Sequence, residues 1–475
     1  MLLSCADFHA ASFVSYSIAS CRVGEASRFA LVSRRSKAGR FAFNLRVPRT
    51  PTRRHADTPT QPFGGCGSAA LCTLSLCGKF FLTALCFIFA TSGLASAQEA
   101  DPGANNIAGR LPRLSNAAQI SLITYTPGEE LYQAFGHSAI RVRDDFLNMD
   151  RLYNFGVFDF DSPNFYVKFA HGELLYQLAV SQAEDDIRAV AAYGQGVTEL
   201  PLNLSPAQKQ AMFEALEINL LPENRFYQYD FVLDNCSTRP RNVIERITGS
   251  PVVEREAGKQ TFREMLDPYF TRMPWIGLGV SLLLGAKIDR LATPREACFL
   301  PADLERAVQA GKNGDQNLAA EKKELFPPDV LAGSPRFLNP IWIFSSGGIL
   351  WLLFWLLRRK GHTTWPTALC LMILGLVGSF ILALSFWSRL WVLHDNYNLL
   401  WLIPLHLPAG LWLLLTKRRP VFLGWYLWFA FLAAVMFVCF SFLLPQKFSP
   451  AVFPLLIIVA WRCALELFPI LGVKS

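Results

Sequence analysis

Cys236, set in Asp234-Asn235-Cys236-Ser237-Thr238, follows His137, set in Gly136-His137-Ser138, by about a hundred residues. A thiolate is a strong nucleophile, and an imidazole is a base able to generate it. A pair of this kind attacks carbonyl carbon through a covalent acyl-thioester, so the chemistry implied is acyl transfer or hydrolysis. A third polar group is needed to orient the imidazole. Asn154 and Asp159, in the aromatic run Leu152–Phe160, are the candidates, and the sequence does not separate them. His171, in Phe-Ala-His-Gly-Glu, is a weaker alternative base.

The elements that must hold these groups can be read from pattern. Gln119–Tyr125 has the composition of a strand. Ser138–Arg143 alternates, with Ile140 and Val142 on one face and Arg141 and Arg143 on the other. His137 shares the parity of the arginines and so faces away from the apolar side; a satisfied core imidazole fits that position less well. Leu152–Phe160 reads as a further strand whose rings belong to the core. Ser205-Pro206-Ala207-Gln208 is a helix start with proline at the first turn and a capping-box glutamine, and the helix runs to about Leu220. A second helix over Asn242–Ile247 ends at Gly249 and can be capped by Asn235, Ser237 or Thr238, with Pro240 in its first turn. Cys236 then sits at a helix N-terminus, where free N–H groups favour thiolate and can hold an oxyanion. Ser237 and Thr238 are the expected oxyanion donors. Met273–Ile288 is apolar but too short and glycine-rich to span a bilayer; it is either buried core or a membrane-facing or acyl-binding flap.

Lys79–Ala97 has a positive residue, an apolar run and a small-x-small Ala95-Ser96-Ala97, which is a secretory signal with cleavage after Ala97. Residues 1–78 are Ser- and Arg-rich with little periodicity. They are a mis-started stretch, with the true start at a non-Met codon near 71–76, or a disordered or transit-type extension. N-terminal sequencing separates the two. The expected organisation is 1–78 extension, 79–97 signal, 98–338 exported domain and 339–475 membrane domain. Five spans are expected: Asn339–Leu357, Trp365–Trp387, Asn398–Thr416, Val421–Leu443 and Pro450–Leu471, each close to the ~20 residues a bilayer requires. Arg358-Arg359-Lys360 and Lys417-Arg418-Arg419 place their loops inside, so the exported domain and the loop at Trp391–Tyr397 lie outside. His394, Asn396 and Asn398 on that loop, and His406 just beyond it, are candidate contacts to a lipid headgroup; interfacial anchoring is the alternative. Arg462 and Glu466, at i,i+4, are expected to neutralise each other.

Of eleven cysteines, six precede the predicted cleavage site and three lie in apolar spans, leaving Cys236 and Cys298 in the exported domain. A disulfide between them is the bland alternative to a free nucleophile. The net charge of +8 comes mostly from residues 1–78, which hold ten Lys/Arg and three acids. The remainder is near neutral, which argues against a nucleic-acid surface. The exported domain carries no His/Cys/Asp cluster with zinc spacing, so neither metal nor cofactor is expected.

Ser121–Val142, Tyr153–Phe169, Pro222–Arg241 with its Asp-Asn-Cys-Ser-Thr-Arg, Leu278–Leu304 and the string His394–Trp401 with Pro404–Leu407 resemble the Lnb N-terminal periplasmic domain family of bacterial envelope proteins. The resemblance implies a permuted papain-type fold, with His on an early strand and the nucleophilic Cys on a later helix. Lecithin retinol acyltransferase-like enzymes share that order. With the five spans, it implies an α+β permuted papain-like periplasmic domain followed by an all-α five-helix transmembrane domain in the bacterial inner membrane. It further implies lipoprotein N-acyltransfer: an acyl chain passes from a phospholipid donor to Cys236 and then to the N-terminal amine of a lipoprotein acceptor, with the lipid bilayer as setting. The alternatives are a cysteine peptidase or amidase on cell-wall peptides, and a non-catalytic envelope scaffold.

Overall fold

The structure, a computed structural model, describes residues 110–159, 161–254, 258–329, 338–358, 363–416 and 420–467. The expected extension at 1–78, the signal at 79–97 and most of the two basic loops lie outside the described residues. Nine strands are present among them: β1 (Gln119–Tyr125), β2 (His137–Asp144), β3 (Met149–Val157), β4 (Leu175–Gln182), β5 (Val197–Pro201), β6 (Phe226–Gln228), β7 (Lys312–Asn313), β8 (Gln316–Asn317) and β9 (Lys323–Phe326). Seven form one antiparallel sheet in the order β6-β4-β3-β2-β1-β5-β9, and β7 pairs with β8.

Period-2 alternation gives the sheet two apolar faces. Ile140 and Val142 of β2 enter the main core with Ile120, Leu122, Tyr153 and Phe155. Each such burial contributes about 1.5–3 kcal/mol. Helices α3 (Pro206–Leu220), α4 (Thr238–Thr248) and α7 (Pro301–Ala310) supply residues to that core. On the opposite face Ala139 and Leu152 meet Ala183 and Ile187 of α2 (Ala183–Ala192). His137 has the parity of Ala139, so it lies on the α2 side. The short helices α1 (Phe165–His171) and α5 (Phe262–Leu266) complete the sheet domain. Helix α3 has the expected capping box: Ser205 Oγ accepts from the Gln208 amide, and Gln208 Oε1 from the Ser205 amide. Helix α4 ends at Gly249, whose φ of +68° suits glycine.

Beyond the sheet domain lie α6 (Pro274–Leu283), α8 (Pro340–Arg358), α9 (Trp365–Trp387), α10 (His406–Leu415), α11 (Val421–Phe440) and α12 (Val452–Leu467). Among the described residues three apolar segments are long enough to cross a membrane: Pro340–Leu357, Trp365–Trp387 and Val421–Leu443. The expected third span is not one continuous helix. A 3-10 turn at Tyr397–Leu400 and the turn around Pro404 leave α10 only ten residues long, short of the ~20 that crossing needs. The expected fifth span is helical over the sixteen residues of α12. There Arg462 approaches Glu466 to 4.0 Å, while its guanidinium also donates to Thr367 Oγ1 and the Thr363 carbonyl.

Within Met273–Ile288, helix α6 has no fully buried residue and packs along the membrane helices. Its Leu278, Leu282 and Leu283 pack against the membrane-helix core, and Trp275 meets Phe344 of α8 edge-on at 5.8 Å. The end of α6 accounts for the polar string of the outer loop. The last carbonyls of a helix have no partner within it. Asn396 Nδ2 donates to the Leu282 and Leu283 carbonyls, and Asn398 Nδ2 to those of Ser281 and Leu282. Gln446 Nε2 donates to the Leu284 carbonyl. The expected headgroup contacts are thereby corrected: Asn396 and Asn398 are buried and spent on backbone. His406 is buried between the Trp401 carbonyl (3.1 Å) and the Tyr426 hydroxyl (2.6 Å). His394 bonds the Ser388 carbonyl at 3.0 Å. Asn396 and Asn398 thus tie the outer loop to the end of α6, while His394 and His406 bond within the membrane half.

Candidate functional site

His137 opens β2, opposite Tyr125 of β1, and its ring stacks on Tyr125 at 5.8 Å between centroids. Asn154 is on β3, paired with Ala139 of β2, and so shares a face with His137. Asn154 Oδ1 accepts from His137 Nε2 at 3.1 Å. The orientation of that amide is set from behind: Asn154 Nδ2 donates to Asp186 Oδ2 (2.9 Å) and Ser181 Oγ (3.2 Å), and the Ser181 hydroxyl donates to the same carboxylate oxygen (2.6 Å). With its amide nitrogen engaged by acceptors, Asn154 presents oxygen to the ring. His137 therefore carries its proton on Nε2 and leaves Nδ1 for the sulfur.

Cys236 reaches His137 from the N-terminal side of α4. Asn235 folds back as the cap of this helix. Its Oδ1 accepts from the Ser237 and Thr238 amides (2.8 and 2.9 Å), and its own amide donates to Thr238 Oγ1 (2.7 Å). Asn235 Nδ2 donates to the Phe231 and Phe299 carbonyls (2.7 and 2.9 Å). Ser138 is close to Ser237 through their hydroxyls (3.3 Å), and its backbone amide helps to stabilise the Cys236 thiolate. Gly156 makes room where β3 is irregular. At its φ of +88°, an added Cβ would lie 3.2 Å from Tyr229 and 3.5 Å from the Cys236 Cβ, so any side chain there would be strained and crowded.

Burial by itself would raise the Cys236 pKa. The charge and hydrogen bond of His137, the Ser138 amide and the Ser237 hydroxyl outweigh it and hold the thiol below the ordinary cysteine value. For His137, burial pushes down, while the Cys236 thiolate, the bond to Asn154 and the Asp186 charge push up more strongly; the net is upward. Both directions favour a thiolate–imidazolium pair. Cys298 contrasts with this. It is free, as is Cys236, which removes the disulfide alternative. Its sulfur lies 3.7 Å from the Val252 carbonyl, and burial pushes it up to about 12.

Several expected residues sit elsewhere. Asp159 is exposed, with Oδ1 accepting from the Asp161 amide, and does not orient His137. The Ser237 and Thr238 amides are both occupied by Asn235, so neither is a free oxyanion donor. The Cys236 amide has no partner among the described residues, and the Tyr229 hydroxyl lies on the Cys236 side of the site. His171 pairs with Glu173 at 3.2 Å and lies against Trp387, with no part in this cluster. Asp186, Ser181 and Tyr229 are absent from the sequence reading. No group of three or more potential metal ligands occurs among the described residues.

If Asn154 orients the ring, Asn154→Ala is expected to slow Cys236-dependent chemistry by roughly 10²-fold, the scale of an ångström-level misplacement. Alkylation of Cys236 by iodoacetamide should persist. Loss of alkylation as well would indicate collapse of the site in place of mispositioning.

A sheet domain with this cluster, packed on apolar helices of membrane-crossing length, defines a membrane protein with an attached α+β domain. Residues 114–267 match the family described as the Lnb N-terminal periplasmic domain, and residues 333–471 match the Lnb transmembrane domain. The chain belongs to the Lnb family. No curated protein and no solved structure matches it significantly.

Proposed function

We propose that this protein is a cysteine acyltransferase of the bacterial inner membrane, with a permuted papain-like domain facing the periplasm. It moves an acyl chain from a phospholipid through a thioester on Cys236 to the N-terminal amine of a lipoprotein. The observation that supports it most is His137 held by Asn154 on one side with Cys236 as its charge partner on the other, in a domain packed on membrane helices.

In the first half-reaction the Cys236 thiolate attacks the ester carbonyl carbon and a C–S bond forms. The Cys236 amide and the Tyr229 hydroxyl, which burial keeps protonated far above the ordinary tyrosine range, are placed to receive the oxyanion. Collapse breaks the C–O bond, and the His137 imidazolium gives its proton to the departing lysophospholipid alkoxide. In the second half-reaction the amine attacks the thioester and neutral His137 takes its proton. The C–N bond forms, the C–S bond breaks, and the thiolate–imidazolium pair returns.

Intact-mass analysis of the protein extracted from membranes tests this. The expected result is a fatty-acyl adduct on Cys236, released by hydroxylamine and missing in Cys236→Ala. A peptidyl adduct would assign the site to a cell-wall peptidase instead. Lipoprotein acylation surviving in Cys236→Ala would remove the mechanism.

A further inference from the structure

Helix α1 has only seven residues, and three of its large apolar side chains are left in the open: Tyr166 is 76 % exposed, Val167 55 % and Phe169 53 %. Phe165 alone turns inward, against the main core. Three large apolar side chains exposed side by side on one short helix form a candidate contact surface. Its partner is identified by where α1 is tied. Ser388 Oγ donates to the Ala170 carbonyl at 2.6 Å, and the Arg389 amide to the His171 carbonyl at 2.9 Å. The His171 ring lies 4.6 Å from that of Trp387. Gly172, at φ +81°, packs so closely on Leu390 that an added Cβ would lie 3.1 Å from it. All these bonds go to the end of α9, a membrane-crossing segment whose Phe386 and Trp387 are themselves exposed. The open face of α1 therefore continues the lipid-facing surface of α9 at the level where that helix leaves the membrane.

We propose that α1 lies in the headgroup–acyl boundary of the periplasmic leaflet and binds glycerophospholipid there through Tyr166, Val167 and Phe169. A row of rings leads inward from it. Phe169 stacks with Phe165 at 6.3 Å, Phe165 meets Phe158 at 5.7 Å, Phe158 meets Tyr176 at 5.1 Å, and Tyr176 stacks on Tyr229 at 4.2 Å. Tyr229 and Cys236 in turn both flank Gly156, where an added Cβ would lie 3.2 Å from the Tyr229 ring and 3.5 Å from the Cys236 Cβ. The row gives an acyl chain an apolar edge to follow from the leaflet to the thiol; that delivery role rests on the acyl-enzyme reading above, whereas the lipid contact does not.

The experiment places the photoreactive residue p-benzoylphenylalanine at position 166, 169 or 193 in the full chain, in nanodiscs of phosphatidylethanolamine and phosphatidylglycerol. Tyr193 is comparably exposed but follows α2, whose contacts run to β3, β4 and β5. Each change replaces an exposed aromatic side chain with another aromatic, so folding is preserved. The expected result is phospholipid adducts at 166 and 169 several-fold above those at 193. Lipid adducts no higher than at 193, or adducts to protein in their place, would overturn the proposal. Cross-linking reads contact without chemistry, so its failure is distinguishable from a Cys236 that is never acylated.

Discussion

His137→Gln is expected to lower acyl transfer by about 10²–10⁴-fold, the range for loss of a positioned general acid–base, and to change the pH response of the thiol. In the wild type the Cys236 pKa lies below, and the His137 pKa above, their ordinary values. The reactive form is thiolate with imidazolium. Acyl-enzyme formation should rise with pH as Cys236 loses its proton, at a pH below the ordinary thiol value of ~8.5. It should fall again as His137 loses its proton, above the ordinary ~6.5. The two midpoints belong to the pair and not to either residue alone. In His137→Gln the cation is gone and burial acts on the sulfur unopposed, so the rising limb moves to higher pH and the falling limb disappears. Iodoacetamide alkylation followed across pH reads the first change, and thioester formation from phospholipid reads both. An alkylation profile identical to that of the wild type would mean that His137 does not ionise Cys236.

Much of this site could be read from the chain because its signals are local. The alternation Ile140-Arg141-Val142-Arg143 fixes which way His137 faces. Gly249, with Pro240 in the first turn of α4, places Cys236 before a helix. The Asn154 choice could not be made in advance, since Asn154 and Asp159 stand on the same aromatic run. Register decides it: Asn154 pairs beside β2, whereas Asp159 lies beyond the end of β3. Asp186 left no distinctive mark, because Glu184-Asp185-Asp186 has the look of ordinary acids at a helix N-terminus. Only the packing of α2 on the sheet brings that carboxylate to Asn154. Asn396 and Asn398 misled for a related reason. A polar pair on an outer loop has the composition of a headgroup site, and the exposed carbonyls at the end of α6 that consume it are more than a hundred residues away. Likewise, the apolar composition of 398–416 suits a span, but its backbone turns twice before α10 begins.

Asn235→Ala should be the most damaging change to the sheet domain that leaves both reacting side chains in place. Asn235 is buried and bonded on both sides of its amide: its oxygen holds two amides at the start of α4, and its nitrogen holds two carbonyls on separate segments. Truncation leaves all four backbone groups without partners, away from water. Each such orphan costs about 1–3 kcal/mol, and the four share one site, so a total loss of about 3 kcal/mol or more is expected. Asn235→Asp separates the two halves of this role. It keeps the acceptors for the Ser237 and Thr238 amides but sets a carboxylate oxygen against the Phe231 and Phe299 carbonyls. It too should destabilise, while α4 remains capped. Thermal unfolding of both variants in detergent measures the cost, and the Cys236 alkylation rate in the folded fraction measures what is left of the site. In Asn235→Asp the helix start should still present the sulfur to His137; in Asn235→Ala it should not. Unchanged melting in both variants would mean that the cap does not hold this segment in place. The geometry around Cys236 would then have to come from the Ser138 contacts on β2 alone.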